Sequence, residues 1–211
     1  IYIGDFVNNI AEGFGRQDMY KHGEYYGYFE GELKDDYLNG KGVWEDENAK
    51  YEGTFKDHLL NGFAKADYTN GNRYEGYFKK DLQHGQGTFI WSDGAKYVGE
   101  YKEGLFHGSG VMEYSGGDKF IGEYFEDYLK KGEYIYSNGD KFIGEWDENE
   151  QKSGKGKQIW TDGSVYVGEF KNGYMTGKGE LLYADGTKHI GFFFEGLPEG
   201  KGQYLFADGK Y

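Results

Sequence analysis

The chain has 211 residues, of which 38 are Gly, 20% are aromatic, one is Pro and none is Cys. Collagen needs Gly at every third residue with abundant Pro, and a disordered Gly-rich chain would lack the rings, so neither class fits; without Cys there is no disulfide framework, thiol nucleophile or thiolate metal site. A net charge of −13 repels nucleic-acid phosphates and anionic bilayers, and no apolar run is long enough for a membrane-spanning helix.

Along the chain, an aromatic-x-Gly-x-aromatic element recurs nine times. It begins with Tyr2-Gly4-Phe6, Tyr25-Gly27-Phe29, Tyr51-Gly53-Phe55, Tyr74-Gly76-Phe78 and Tyr97-Gly99-Tyr101. It continues with Phe120-Gly122-Tyr124, Phe142-Gly144-Trp146, Tyr166-Gly168-Phe170 and, with a His in the first slot, His189-Gly191-Phe193. The starts at 2, 25, 51, 74, 97, 120, 142, 166 and 189 lie 22 to 26 residues apart, and Tyr211 opens a tenth unit. A fixed period of this kind marks an array of stacked units. The array reads as one domain over 1–211, cut from a longer array.

Each unit has a second half. Counting the first ring as position one, Gly-x-Gly falls at positions 12 and 14, as in Gly13/Gly15, Gly85/Gly87, Gly108/Gly110, Gly177/Gly179 and Gly200/Gly202. A large ring follows four positions after the second Gly, as in Tyr68, Trp91, Tyr114, Tyr136, Trp160, Tyr183 and Phe206. Asn-Gly or Asp-Gly then closes the unit at Asn70, Asp93, Asn138, Asp162, Asp185 and Asp208, a pair that suits a hairpin turn with positive φ at both central residues.

The period inside each half is two, so both halves are strands and each unit is a hairpin. Gly inside a strand costs about 0.5–1 kcal/mol relative to Ala. Nine such costs at one position need a cause, and the expected one is a ring from a neighbouring strand or unit lying against each Gly. The opposite face alternates Val or Ile with Glu, as in Val98/Glu100, Ile121/Glu123 and Val167/Glu169, and is expected to be wet. One unit cannot offset its own ordering entropy, so the array is the folding unit.

Departures from the pattern mark its weak places. The second unit carries an insertion around Asp35-Asp36-Tyr37 and Glu47-Asn48 in place of the turn Gly. Ala64 replaces the second Gly of the third unit. The sixth has Lys130 for its first Gly and is a residue short, and the seventh has an extra residue near Glu150. The junction of these two is the expected bend.

The combination of aromatic-x-Gly-x-aromatic, His-Gly-x-Gly and Asp-Gly, clearest over Tyr74–Phe78 with His84 and Asp93 and over Tyr97–Tyr101 with His107, resembles the MORN (membrane occupation and recognition nexus) repeat. The resemblance spans the whole chain and implies an elongated, single-layer, twisted antiparallel sheet of about nine hairpins. It also implies a scaffold like the MORN-only proteins of unicellular parasites: dimeric, cytoplasmic, cytoskeleton-associated, and in some settings close to membranes.

No catalytic motif appears: there is no G-x-S-x-G, P-loop, H-E-x-x-H or G-x-G-x-x-G. The Gly-x-Gly pairs lie inside strands and cradle no phosphate. Asp147-Glu148-Asn149-Glu150 lacks the features of an EF-hand loop, and His84 and His107, about 10 Å apart as strand spacing places them, cannot share a zinc. No cofactor or metal is expected, and the chain is read as a non-enzyme. Tyr74, Phe78, Trp91, Tyr97, Tyr101 and Tyr114 are the candidates for an aromatic groove that takes a partner helix or peptide. Ile190, Phe192, Phe194 and Leu197 place apolar groups where other units carry charge, so they are the candidate homodimer surface. Two alternatives remain: a lipid-associated module, and a carbohydrate- or choline-binding repeat. The first lacks polybasic clusters and the second lacks paired aromatics after Gly-Trp.

Overall fold

The computed structural model describes residues 1–207, so Asp208, Gly209 and Tyr211 of the sequence pattern lie outside the described residues. Every element in it is a β-strand. The chain divides into two compact units, Ile1–Phe106 and His107–Tyr211. The first holds β1 (Tyr2–Val7), β2 (Ile10–Lys21), β3 (Glu24–Lys34), β4 (Tyr37–Asp46), β5 (Ala49–Lys56), β6 (Leu59–Tyr68), β7 (Arg73–Lys79), β8 (Leu82–Ile90) and β9 (Lys96–Lys102). β10 (Leu105–Glu113) starts at its end. The second continues with β11 (Lys119–Phe125), β12 (Tyr128–Ile135), β13 (Lys141–Trp146), β14 (Lys152–Ile159), β15 (Val165–Lys171), β16 (Tyr174–Leu182), β17 (Lys188–Phe194) and β18 (Leu197–Leu205).

Within each unit, consecutive strands pair antiparallel, so the nine sequence repeats become hairpins laid side by side. Their register aligns the glycines. Gly15 faces Gly31, Gly31 faces Gly42, Gly42 faces Gly53, and Gly76 faces Gly87. In the second unit Gly110 faces Gly122, Gly122 faces Gly132, Gly168 faces Gly179, and Gly179 faces Gly191. A row of glycines, interrupted in the first unit by Ala64, therefore crosses the strands of each unit, and rings lie on it.

The second-half glycines receive a ring from the neighbouring strand as expected, whereas the first-half glycines receive one from their own strand. A Cβ built on Gly76 would stand 2.5 Å from the Tyr74 hydroxyl, and one on Gly87 would stand 2.3 Å from the same atom. The first ring of a hairpin thus leans along its own strand, covers the Gly two residues on, and reaches the facing Gly of the next strand. Its hydroxyl is held there: Tyr74 donates to the carbonyl of Tyr77 at 3.0 Å, and Tyr166 donates to that of Glu169 at 3.1 Å. Neighbouring hairpins then interlock through the fifth-position ring, edge to face. Tyr74 meets Tyr101 at 5.3 Å, Phe120 meets Trp146 at 5.1 Å, Phe142 meets Phe170 at 4.9 Å, and Tyr166 meets Phe193 at 4.9 Å. Such geometry places the positive ring edge on the negative face of its partner. The core of each unit is this one face, with Tyr74, Tyr97, Tyr166, Phe29, Phe120 and Phe142 fully buried.

The second hairpin is shifted from its sequence assignment. Phe29, rather than Tyr25, covers the notch, lying against Gly31 and Gly42. Counted from Phe29, Gly40 and Gly42 fall at positions 12 and 14, and Asp35-Asp36 is an ordinary hairpin turn with no insertion. The extra residues belong to the long ribbon of β2 and β3. Leu33 fills the fifth slot, which a search for aromatics there passes over.

The turns are also distributed differently. At Asn70-Gly71 the Gly71 amide donates to the Tyr68 carbonyl and only Gly71 has positive φ, so the segment is a longer turn closed by a left-handed Gly. The two-residue turns with positive φ at both positions lie within hairpins, at Asn8-Asn9, Asp35-Asp36, Asp57-His58, Lys80-Asp81 and Glu126-Asp127, and with Gly second at His22-Gly23, Glu103-Gly104, Asn172-Gly173 and Glu195-Gly196. Their side chains join hairpin to hairpin: Asp36 accepts from the amide of Ala11 at 2.7 Å, and Asp81 accepts from that of Leu60 at 2.7 Å.

Candidate functional site on the ring face

The buried rings hold the sheet together, and the next column of rings remains reachable. Position 18 of the repeat places Tyr68 and Trp91 in the first unit, and Tyr136, Trp160 and Tyr183 in the second, half-buried along the turn side of the ring face. They rest on half-buried rings two residues before them: Trp91 packs on Phe89 at 4.7 Å, and Tyr136 packs on Tyr134 at 4.7 Å. Of the six groove candidates, Tyr74, Phe78, Tyr97 and Tyr101 are buried in the first unit, where they line the interior of the sheet face. Trp91 is half-buried and Tyr114, in the second unit, is exposed. The outward-facing part of the candidate set is therefore Trp91 and Tyr114.

A ladder of polar groups fixes the turn beside each of these rings. Asp118 accepts from the Tyr134 hydroxyl at 2.7 Å and from the Ser137 amide at 2.8 Å. Those donors hold the Asp118 carboxyl below the usual carboxylate range, while burial and the Asp118 carboxylate push the Tyr134 hydroxyl up. Asp140 repeats the amide contact one hairpin later with Thr161 at 2.9 Å, and that amide together with the Asn138 side chain lowers its carboxyl. In the first unit, burial pushes Tyr68 up to about 12. Both tyrosines are neutral walls, and the Tyr134 hydroxyl is held by Asp118.

Two clefts open beside this ladder in the second unit. One, of 360 Å³, is walled by Tyr136, Trp160 and Tyr174; the other, of 640 Å³, by Tyr114, Tyr134 and Trp146. Lys152 borders both. Its ammonium lies 5.1 Å from the centre of the Tyr136 ring and 4.9 Å from that of Phe142, and it donates to the Oε1 of Gln158, which is buried. Burial lowers the Lys152 ammonium below its usual range, with Asp140 opposing the shift.

On the opposite face, Ile190, Phe192 and Phe194 alternate outward along β17, and Leu197 faces Phe194 across the turn. All four are exposed, Leu197 at 70%. A further apolar cleft of 490 Å³ lies on this face of the first unit, between Phe14, Val43, Thr54 and Phe63. Sequence reasoning passed over Phe14 and Phe63. The available signal was their place between the two paired small residues of Gly13-Phe14-Gly15 and Gly62-Phe63-Ala64, where Lys41, Gln86 or Lys178 stand in other units. Among the described residues no group of three or more His, Asp or Glu is placed to hold a metal.

The repeating ring-on-glycine geometry coincides with a sequence profile. The MORN repeat profile matches residues 2–19, 29–48, 51–73, 74–96, 97–119, 142–165, 166–188 and 189–211. The chain belongs to the MORN repeat family. Its second MORN match begins at residue 29, the position of the notch-filling Phe29, and the longest unmatched stretch, 120–141, is the short sixth unit with Lys130. No curated protein matches this MORN chain. Among solved structures it is similar to the G-box domain of the microcephaly protein CPAP, a domain described as suggesting a role in centriole elongation. That likeness has a TM-score of 0.50 and 18% identity, and covers 82% of this chain and 92% of that one. Weaker likenesses are the SAS-4 (dCPAP) TCP domain of Drosophila melanogaster bound to a proline-rich motif of Ana2 (TM-score 0.43, 14% identity, 72% and 83% covered) and the TCP10 domain of Danio rerio CPAP (0.36, 11%, 84% and 88%). These likenesses are of fold.

Proposed function

We propose that this MORN array is a non-enzymatic scaffold that organises cytoskeletal protein partners. The observation that carries this reading is the division of labour among its rings. One set is consumed in holding the hairpins, while a second, at Trp91 in the first unit and at Tyr114, Tyr136 and Trp160 in the second, stays reachable beside fixed polar groups. Aromatic rings with a polar edge are the side chains that carry most binding energy at protein interfaces. The net charge of −13 favours basic or neutral protein surfaces over lipid headgroups or nucleic acid. The centriolar setting described for the CPAP G-box domain is compatible with this reading.

The finer reading is a homodimer through Ile190, Phe192, Phe194 and Leu197, with partners held along the outward rings of the aromatic groove. These four apolar side chains form one exposed group on a strongly acidic chain, and a second copy covers such a surface without bringing new charge. Light scattering at tens of micromolar tests it. The native chain is expected at twice the monomer mass, and the Phe192→Lys plus Phe194→Lys variant at the monomer mass with an unchanged melting curve. A monomeric native chain, or a variant that still dimerises, ends the dimer reading. For the groove, Trp91→Ala and Tyr114→Ala are expected to remove captured partners from a folded array, whereas Tyr74→Ala is expected to unfold it.

A further inference from the structure

The seventh hairpin breaks the repeat at two ring-face positions at once. Across hairpins, the residue facing the fifth-position side chain is Ala11, Leu38, Leu60, Gln83, Leu129, Met175 or Pro198, none of them charged; here, facing Trp146, it is Lys152. The residue facing the first-position ring is Gln17, Trp44, Ala66, Phe89, Tyr134, Leu181 or Tyr204; here, facing Phe142, it is Gln158, and of these hairpins this one alone joins a Gln here to a charged side chain at the other position. The two replacements are complementary, since the buried amide of Gln158 accepts from the Lys152 ammonium and orients it. An ammonium has three donors, and Gln158 uses one. The rest of the head lies between two ring faces and the two clefts that share Tyr136, Gly173 and Tyr174.

We propose that Lys152 anchors a carboxylate-binding site, in which an acidic side chain of a protein partner pairs with the ammonium and an adjacent ring or aliphatic group of that partner lies against Tyr136, Trp160 and Tyr174. The proposal rests on the scaffold reading and names the chemistry of one of its contacts. A charge-assisted hydrogen bond is strongest where water is thinned, and this ammonium is half-buried against rings. Burial already disfavours the Lys152 charge, and an entering carboxylate relieves that cost. Asp140 and Glu150 stand at the rims of the clefts, so a single negative charge suits the site better than a phosphate dianion. The surrounding walls are aromatic, which selects a carboxylate carried beside an apolar group.

The test uses the whole chain with 3-phenylpropionate, which carries a ring and a carboxylate, against its neutral amide. Backbone and indole NMR signals of Lys152, Gly173, Tyr174 and Trp160 are followed. The acid is expected to give saturable shifts there, at least tenfold stronger in affinity than the amide. Lys152→Met, which installs the residue found at the matching place in the next hairpin, is expected to fold and to lose that preference. Lys152→Gln, matching Gln83, serves as the second variant. Equal binding of acid and amide, no saturable shift in the native chain, or a preference that survives both variants overturns the site. A scaffold that captures partners equally well with Lys152→Met would lose this site and keep its function, so the two failures are distinguishable.

Discussion

The ring-on-glycine contact predicts a substitution with the wrong sign for its chemistry. Replacing a strand Gly by Ala ordinarily stabilises a fold by about 0.5–1 kcal/mol, because the unfolded chain loses freedom. At Gly179 the new methyl would sit 2.5 Å from Cε2 and 2.6 Å from Cζ of Tyr166, a ring that is fully buried and interlocked with Phe170 and Phe193. The ring has no empty space to enter, so Gly179→Ala is expected to cost about 1–3 kcal/mol by overpacking, and more if Tyr166 is expelled. Gly116 is the control: its φ is ordinary and a Cβ there meets nothing within 4 Å, so Gly116→Ala is expected to be neutral or slightly stabilising. Tyr166→Ala alone should cost about 3–5 kcal/mol, as large aromatic truncations do. In that background Gly179→Ala should become nearly free, giving a coupling of at least about 1 kcal/mol. Urea unfolding of the four chains of the cycle, with amide exchange over β15 and β16, measures this. A Gly179→Ala variant as stable as Gly116→Ala, or additive effects of the two changes, would refute the notch as the reason for the glycines.

Two further predictions use the same geometry. In the ninth hairpin His189 occupies the slot of the first ring, 4% exposed, with neither imidazole nitrogen hydrogen-bonded. His189→Tyr replaces two orphaned polar atoms by a hydroxyl placed, as in Tyr166, to reach the carbonyl three residues on, and is expected to stabilise β17 and β18 by about 1–3 kcal/mol; unchanged amide exchange in those strands would count against it. Burial holds both Tyr68 and Tyr166 at about 12, above the ordinary value of 10.0. Between these values the unfolded chain has lost protons that the folded chain keeps, so this stability is complete below pH 10 and is lost as pH rises through 12. The loss is at most about 2–3 kcal/mol for Tyr166 and smaller for Tyr68, whose partial exposure lets solvent screen the charge. Melting curves from pH 8 to 12, followed with tyrosinate absorbance, check it, and a flat profile above pH 10 excludes it.

The sequence period was enough for the strands and the glycine column, because a nine-fold repeat of ring, gap and ring admits only a period-two element with a shared interior face. Three features were harder to read. Unit two was misaligned since Tyr25-Gly27-Phe29 and Phe29-Gly31-Leu33 both satisfy a spacing rule, and only the pairing of Gly31 with Gly42 chooses between them. The two-residue turns at Lys80-Asp81 and Glu126-Asp127 carry no Gly, so their left-handed backbones have no local signature; strand twist imposes them, and contacts such as that of Asp81 with Leu60 hold them. Burial of Tyr74 and Tyr97 depends on which way each ring leans along its strand, a direction that spacing does not encode.

That last point separates the structural rings from the recognising ones. A side chain needed at the same place in every hairpin is explained by the array, and it carries no information about a partner, because every repeat supplies it. Selectivity has to come from positions the array leaves free, such as the position-18 rings, or from places where one hairpin departs from the rule. Lys152 and Gln158 are such a departure, as are Phe14, Phe63 and the apolar run at Ile190, Phe192 and Phe194. Each replaces the common residue type of its column with one of different chemistry while its hairpin keeps the antiparallel pairing. In a chain of near-identical hairpins, then, the residues that break the repeat without breaking the pairing are where binding specificity is to be sought.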